Sequence, residues 1–203
     1  LELLIVTMDG PCEPDPNGDV ILSCYEQDSA TIKSFRVSSK ILQLASPVFI
    51  RMLSPPFKEG QELLQANCVR IHLEDDDARL MSLILDILHY KADREFHILD
   101  SEDLARLAIH CDKYDCTKAL GPWISTWFDE VVETGQSVMD VGFHLLASYM
   151  FNDPKKFAEI SKTALEEITP DFRNKWLQED TLTLLPTTIP SRLSKRSVKN
   201  GCV

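Results

Sequence analysis

Cys68-Val69-Arg70-Ile71-His72-Leu73 runs into Glu74-Asp75-Asp76-Asp77 and then into a segment that carries Leu80, Met81, Leu83, Ile84, Leu85, Ile87 and Leu88 before Tyr90. The first six residues alternate, with Val69, Ile71 and Leu73 on one side and Arg70 and His72 on the other, the pattern of a half-buried strand at or near a sheet edge. The acidic run offers capping oxygens and the negative charge that a helix N-terminus favours. The segment after it is apolar almost all the way round, so the pattern predicts a helix buried on most sides. Covering its seven large side chains is worth about 10 to 20 kcal/mol gross, at roughly 1.5 to 3 each, before the entropy of ordering them. An isolated helix cannot carry that surface in water, so the chain on either side must wrap it.

The 203 residues suffice for one good core, or for one domain with a helical extension. A 44% apolar and 26% charged composition is that of an ordinary globular protein. The net charge of −11 argues against a nucleic-acid face, which needs clustered Lys and Arg, and favours basic or apolar protein surfaces as partners. Leu1 to Val6 is too short and lacks the basic flank of a signal peptide, and no run is long enough to span a bilayer. The chain opens on Leu1 and not on Met, which leaves room for a segment upstream. Its six cysteines show no two-residue spacing, and Cys24, Cys68 and Cys111 fall at expected apolar positions, so a reduced, intracellular chain in the cytoplasm or nucleus is expected.

Residues 1–18, with Pro11, Pro14, Pro16, Gly10 and Gly18, are predicted to be a flexible lead-in that resists helix and strand. Asp19 to Tyr25 and Thr31 to Val37 read as a hairpin around a turn at Glu26 to Ala30. Ser38 and Ser39 offer caps to a short helix bearing Ile41, Leu42 and Leu44. Ser46-Pro47 starts another with Val48, Phe49, Met52 and Leu53, which Pro55-Pro56 ends. Phe57 to Asn67 reads as a polar connection and His89 to Leu99 as a loop. Asp100 or Ser101 caps a helix with Leu104, Leu107, Ala108 and Cys111, broken at Asp112 to Asp115. The next helix contains Gly121-Pro122, where a bend or restart is expected, then Trp123, Trp127 and Val131 on one face. Val138 to Phe151 and Pro154 to Ile168 read as an antiparallel helical pair, the second with Phe157, Ile160, Ala164, Leu165 and Ile168 as its apolar face. Thr169-Pro170 opens a weaker helix to about Glu179, and residues 181–203 are predicted to be a disordered basic tail.

The order of these elements, with Asp19-Val20, Phe35 to Leu42, Ser46-Pro47-Val48-Phe49, Met52-Leu53, Phe57-Lys58-Glu59-Gly60, residues 69–90, Leu104 to Ala108 and Asp112-Lys113-Tyr114-Asp115, resembles the BTB/POZ domain, in the style of fungal members with a helical extension. The resemblance covers about residues 19–130. It implies an α+β fold: a small, mostly antiparallel sheet flanked by a cluster of helices, followed by a helical extension over residues 131–180. It also implies a protein-protein interaction scaffold. Many relatives are substrate adaptors that dock on a cullin of a ubiquitin ligase through an apolar residue, any residue, then Glu, and Phe57, Lys58 and Glu59 stand at the matching place. An exposed Phe is a buriable anchor and Glu a charge-assisted hydrogen-bond partner. A scaffold for transcriptional or signalling assemblies is the alternative. This sequence departs from the family in having Ser38-Ser39-Lys40 where many members have His before the Lys. The helix that dimeric members exchange has no counterpart in residues 9–18, which argues against a swapped homodimer unless a segment upstream supplies that helix, and leaves a homo-oligomer of another kind open.

No catalytic residue, cofactor or metal is expected. The sequence has no Gly-x-Ser-x-Gly elbow, no glycine-rich phosphate loop and no His pair at metalloprotease spacing. His110, Cys111 and Cys116, with His89 and His97 upstream, lack zinc-ligand spacing, and Cys111 is expected to be buried beside an exposed His110. Trp123 and Trp127 read as core, and Glu74 to Asp77 as a helix start rather than a calcium loop. The basic tail reads as a solvated end, with a nuclear-import or anionic-partner segment as the alternative.

Overall fold

The computed structural model describes residues 12–26, 31–92, 99–130, 137–167 and 172–193. They fall into two compact units: residues 12–92 with 113–122 in the first, and residues 99–112 with 123–193 in the second.

The first unit has the α+β make-up expected. It comprises β1 (Val20–Tyr25), β2 (Ile32–Val37), α1 (Ser39–Ala45), α2 (Pro47–Met52), α3 (Lys58–Gln65), β3 (Val69–Asp77) and α4 (Ala78–Leu88). The sheet runs β2-β1-β3. β1 and β2 pair antiparallel, Val20 opposite Val37, whereas β1 and β3 pair parallel, Val20 opposite Val69. The sheet is therefore mixed rather than mostly antiparallel. A parallel neighbour requires a long crossover, and the connection through α1, α2 and α3 supplies it.

Val20, Leu22 and Cys24 of β1, Phe35 and Val37 of β2, and Val69, Ile71 and Leu73 of β3 are all buried. α4 packs against all three strands and α1, and eight of its residues are buried, including all seven large apolar ones. The expected dry helix is present. β3 runs four residues further than the alternation indicated: a register shift between Cys24 and Tyr25 brings Asp77 opposite Tyr25. Asp77 caps α4, accepting from the backbone N–H of Arg79 at 2.9 Å and Leu80 at 3.0 Å.

Three local expectations are corrected in this unit. Of the supposed flexible lead-in, residues 12–18 are tied to the sheet: Cys12 N–H donates to Ser34 O, Arg36 N–H to Cys12 O, and Asp15 N–H to Arg36 O, covering the outer edge of β2. A Cβ on Gly18 would lie 2.3 Å from Val37 O, so only glycine admits this close approach. Ser38 makes no side-chain cap; instead Asp19 accepts from both the Ser39 N–H and the Ser39 hydroxyl at 2.7 Å. Residues 58–65, read as a polar connection, form α3.

The second unit contains most of α5 (Ser101–Lys113), the later part of α6 (Thr117–Glu130), α7 (Val138–Met150), α8 (Pro154–Glu167) and α9 (Phe172–Trp176). α6 continues through Gly121-Pro122 without a restart. Pro122 costs one backbone hydrogen bond, and the buried Leu120, Ile124 and Trp127 stabilise the helix on both sides of it. α7 starts with a capping box between Ser137 and Asp140 and has Val141 to Ser148 buried without a break. Asp153 caps α8 through the N–H groups of Lys155 and Lys156, as its Asp-Pro start predicts. The helix expected from Thr169 is described over Phe172–Trp176, and Trp176 Nε1–H donates to Val138 O at 2.9 Å.

The described part of the supposed disordered tail is ordered. A 3₁₀ turn (Thr181–Leu184) is followed by a helical turn over residues 188–193, and Leu182, Leu185 and Leu193 are buried. Its apolar residues are enough to fix it, although Pro186 and Pro190 interrupt any long period. Glu26 is described but the rest of the expected hairpin turn, His97, Val131, Ile168, Thr169-Pro170 and the basic residues from Lys195 onward lie outside the described residues.

The α2 to α3 corner gives a sharp test of the packing. Alanine normally favours a helix over glycine by about 1 kcal/mol. A Cβ on Gly60, however, would lie 2.0 Å from Ser54 O. Gly60→Ala is expected to destabilise the chain by about 1 to 3 kcal/mol in urea unfolding; equal or greater stability would refute this close approach.

Candidate functional site

The corner that presents Phe57, Lys58 and Glu59 is built from short-range chemistry. Pro47 starts α2 with Ser46 as its cap, the Ser46 hydroxyl accepting from Phe49 N–H at 3.0 Å. After Leu53 the chain turns through hydrogen bonds from Ser54 N–H to Arg51 O and from Phe57 N–H to Ser54 O. Phe57 occupies the cap position of α3 in an extended conformation and contributes no side-chain cap. The residue is 48% exposed. Lys58 is exposed and lies 3.7 Å from Glu62, one turn on, while Glu59 sits half-buried in the first turn, where the helix dipole favours a carboxylate. Ile50 on α2 and Leu64 on α3 are also exposed, at 49% and 74%. The missed helix had a signal in sequence: the Lys58/Glu62 spacing.

Beneath the corner lies a buried polar network. Ser46 donates its hydroxyl proton to Tyr114 O, and the Tyr114 ring stacks on Phe49 with centroids 4.8 Å apart. Tyr114 OH donates to Asp76 Oδ2 at 2.7 Å, and Lys113 Nζ reaches the same oxygen at 2.8 Å. The Ser46-Pro47-Val48-Phe49 and Asp112-Lys113-Tyr114-Asp115 motifs, 68 positions apart at Ser46 and Tyr114, thus meet through one hydrogen bond and one stack. Lone-pair demand explains why each residue type is needed: the buried carboxylate requires donors, and a tyrosine and a lysine supply them. Burial, then the bond to Asp76, raises the Tyr114 pKa far above its ordinary value. Burial, reinforced by Asp76, pushes the Cys24 thiol up to about 12, which makes it a packed thiol and not a nucleophile.

His89 closes the unit from the end of α4. Its Nδ1–H donates to Leu85 O at 2.8 Å, and its Nε2 accepts from Ser38 N–H at 3.0 Å. That pair of roles requires the neutral imidazole, and burial lowers its pKa accordingly. In the second unit Ser101 Oγ donates to Asp140, which also accepts from Ser137 N–H, and His144 lies one turn further along α7. Ser101 bonds the carboxylate and not the imidazole, so these three residues do not stand in the serine–histidine–carboxylate order of a nucleophilic relay. His144 is buried, and burial lowers its pKa against the opposing pull of Asp140.

Cys24 and Cys111 are buried as expected, Cys116 is buried as well, and Cys68, also expected at an apolar position, is only half-buried. His110, expected to be exposed, is buried: its Nδ1 bonds Arg106 O at 2.8 Å, and the covered arc of α5 takes in Ala105 and Ala108 as well as the Leu104 stripe. Trp127 is buried and Trp123 half-buried, their ring centroids 6.5 Å apart. Among the described residues no three His, Cys, Asp or Glu side chains are grouped so as to hold a metal ion. No described helix is long and apolar enough to cross a membrane. No family model matches the chain, and no curated protein matches it significantly.

The neutral His89 sets a pH dependence. Between the lowered folded pKa of His89 and the unfolded value of about 6.5, the unfolded chain binds a proton that the folded chain refuses, so stability falls as pH falls. Urea unfolding at pH 7.5 and 5.5 is expected to show a loss at the lower pH, and His89→Gln, which keeps an acceptor for Ser38 N–H, should reduce that loss. An unchanged or larger loss in the variant would remove His89 as a source.

Proposed function

We propose that the first unit is a BTB/POZ-type interaction module and that the chain is a substrate adaptor docking on a cullin scaffold of a ubiquitin ligase. The observation that carries this reading is the exposed Phe57 ring two residues before Glu59 at the start of α3. An aromatic ring with half its surface open is an anchor that a partner's pocket can desolvate, and a neighbouring carboxylate fixes its orientation by a charge-assisted bond. The meeting of the Ser46 and Tyr114 motifs supports the family resemblance, as does the order of strands and helices. In this reading the chain is no enzyme and works in the cytoplasm or nucleus, and the residues after α6 carry whatever is recruited.

The test is pull-down of purified cullin N-terminal domains by the full chain. Phe57→Ala with Glu59→Lys is expected to weaken capture at least about tenfold, in keeping with hot-spot anchors of about 2 kcal/mol or more. Capture that survives both changes removes these residues from the contact. Failure of the unaltered chain to bind any cullin at micromolar concentration would favour a scaffold in transcriptional or signalling assemblies.

A further inference from the structure

Among the described residues of the apolar face expected on α8, Ala164 is buried while Phe157, Ile160 and Leu165 remain half-exposed. Phe157, Ser161 and Leu165 recur at four-residue steps and so form one stripe along α8. Facing them across a cavity of about 510 Å³ are Ile189 and Leu193 of the helical turn over residues 188–193. The volume lies within the roughly 300 to 1,000 Å³ of small-molecule sites. Among the described residues, the polar groups that line it are the Ser161 and Thr188 hydroxyls and the Arg192 guanidinium, with no acidic side chain. Arg192 is exposed.

We propose that this cavity binds an aliphatic monocarboxylate, a fatty acid of medium to long chain, with its carboxylate on Arg192 and its hydrocarbon along Phe157, Leu165, Ile189 and Leu193. The walls determine the chemistry. An apolar wall with one cation at one place fits a ligand that is hydrocarbon except at one anionic end. A guanidinium presents a planar fork that matches a carboxylate in two parallel hydrogen bonds. A peptide chain fits less well, because each of its amides would need a partner and the described lining residues offer two hydroxyls besides Arg192. The overall charge of −11 repels anions at long range, so a carboxylate bound here depends on the local cation.

Titration calorimetry of the full chain with dodecanoate, below its micelle concentration, tests this. Saturable binding of one equivalent is expected, with dodecyltrimethylammonium at least about tenfold weaker, and this comparison in the unaltered chain needs no variant to fold. Arg192→Ala should reduce dodecanoate affinity about tenfold or more while leaving dodecanol binding within about twofold, and Ser161→Trp should block both. The proposal is overturned by absence of saturable dodecanoate binding, by equal affinity for the cationic chain, or by tighter binding of an apolar peptide with a free C-terminal carboxylate. It is equally overturned if dodecanoate binds Arg192→Ala unchanged.

Discussion

The first unit depends on the impossibility of leaving α4 in water. Its eleven residues include eight that must be covered, distributed around the helix and not along one stripe, so a single neighbouring element cannot do it. Three strands cover one side and α1 contributes to another. Each of those elements is short, and none would be stable alone. The need to surround one greasy helix turns a set of marginal pieces into a cooperative unit.

Polar chemistry then fixes what burial alone leaves open. Hydrophobic contact is not directional, but the bonds that the buried Asp76 carboxylate accepts from Tyr114 and Lys113 are. Through Tyr114 the same arrangement determines where α2 begins, because the Ser46 hydroxyl bonds the Tyr114 carbonyl and also caps the helix. The exposed Phe57 and the half-buried Glu59 lie on the next turn of chain. The buried network therefore acts as a support for a surface, and its raised thiol and phenol pKa values suit a packed interior rather than a reaction centre.

Much of this was legible because local rules and global needs agree. Alternation marked β3, all-round apolarity marked α4, and the Ser46-Pro47 and Asp153-Pro154 pairs marked helix starts to the residue. The elements that escaped are those whose signal is not apolar. α3 contains only Leu63 and Leu64 among polar residues, and its helicity rests on charge spacing and on the corner that Gly60 permits. The parallel partner of β1 follows from a crossover, which no period within a strand encodes. Residues 12–18 form strand-like bonds despite their prolines because they lie at an edge, where a missing N–H is tolerated. Of the candidate contact, the residues were readable from the family pattern, but the half-open state of Phe57 depends on how α2 and α3 meet, and that is a tertiary fact.

The most direct measurement is native-state hydrogen exchange resolved by residue. If α4 is the sealed centre, the amides of Leu83 to Leu88 exchange only through global unfolding, with the highest protection in the first unit and a denaturant dependence equal to that of the whole transition. Exchange of these amides through small local openings, faster than those of β2 or α3, would contradict the account.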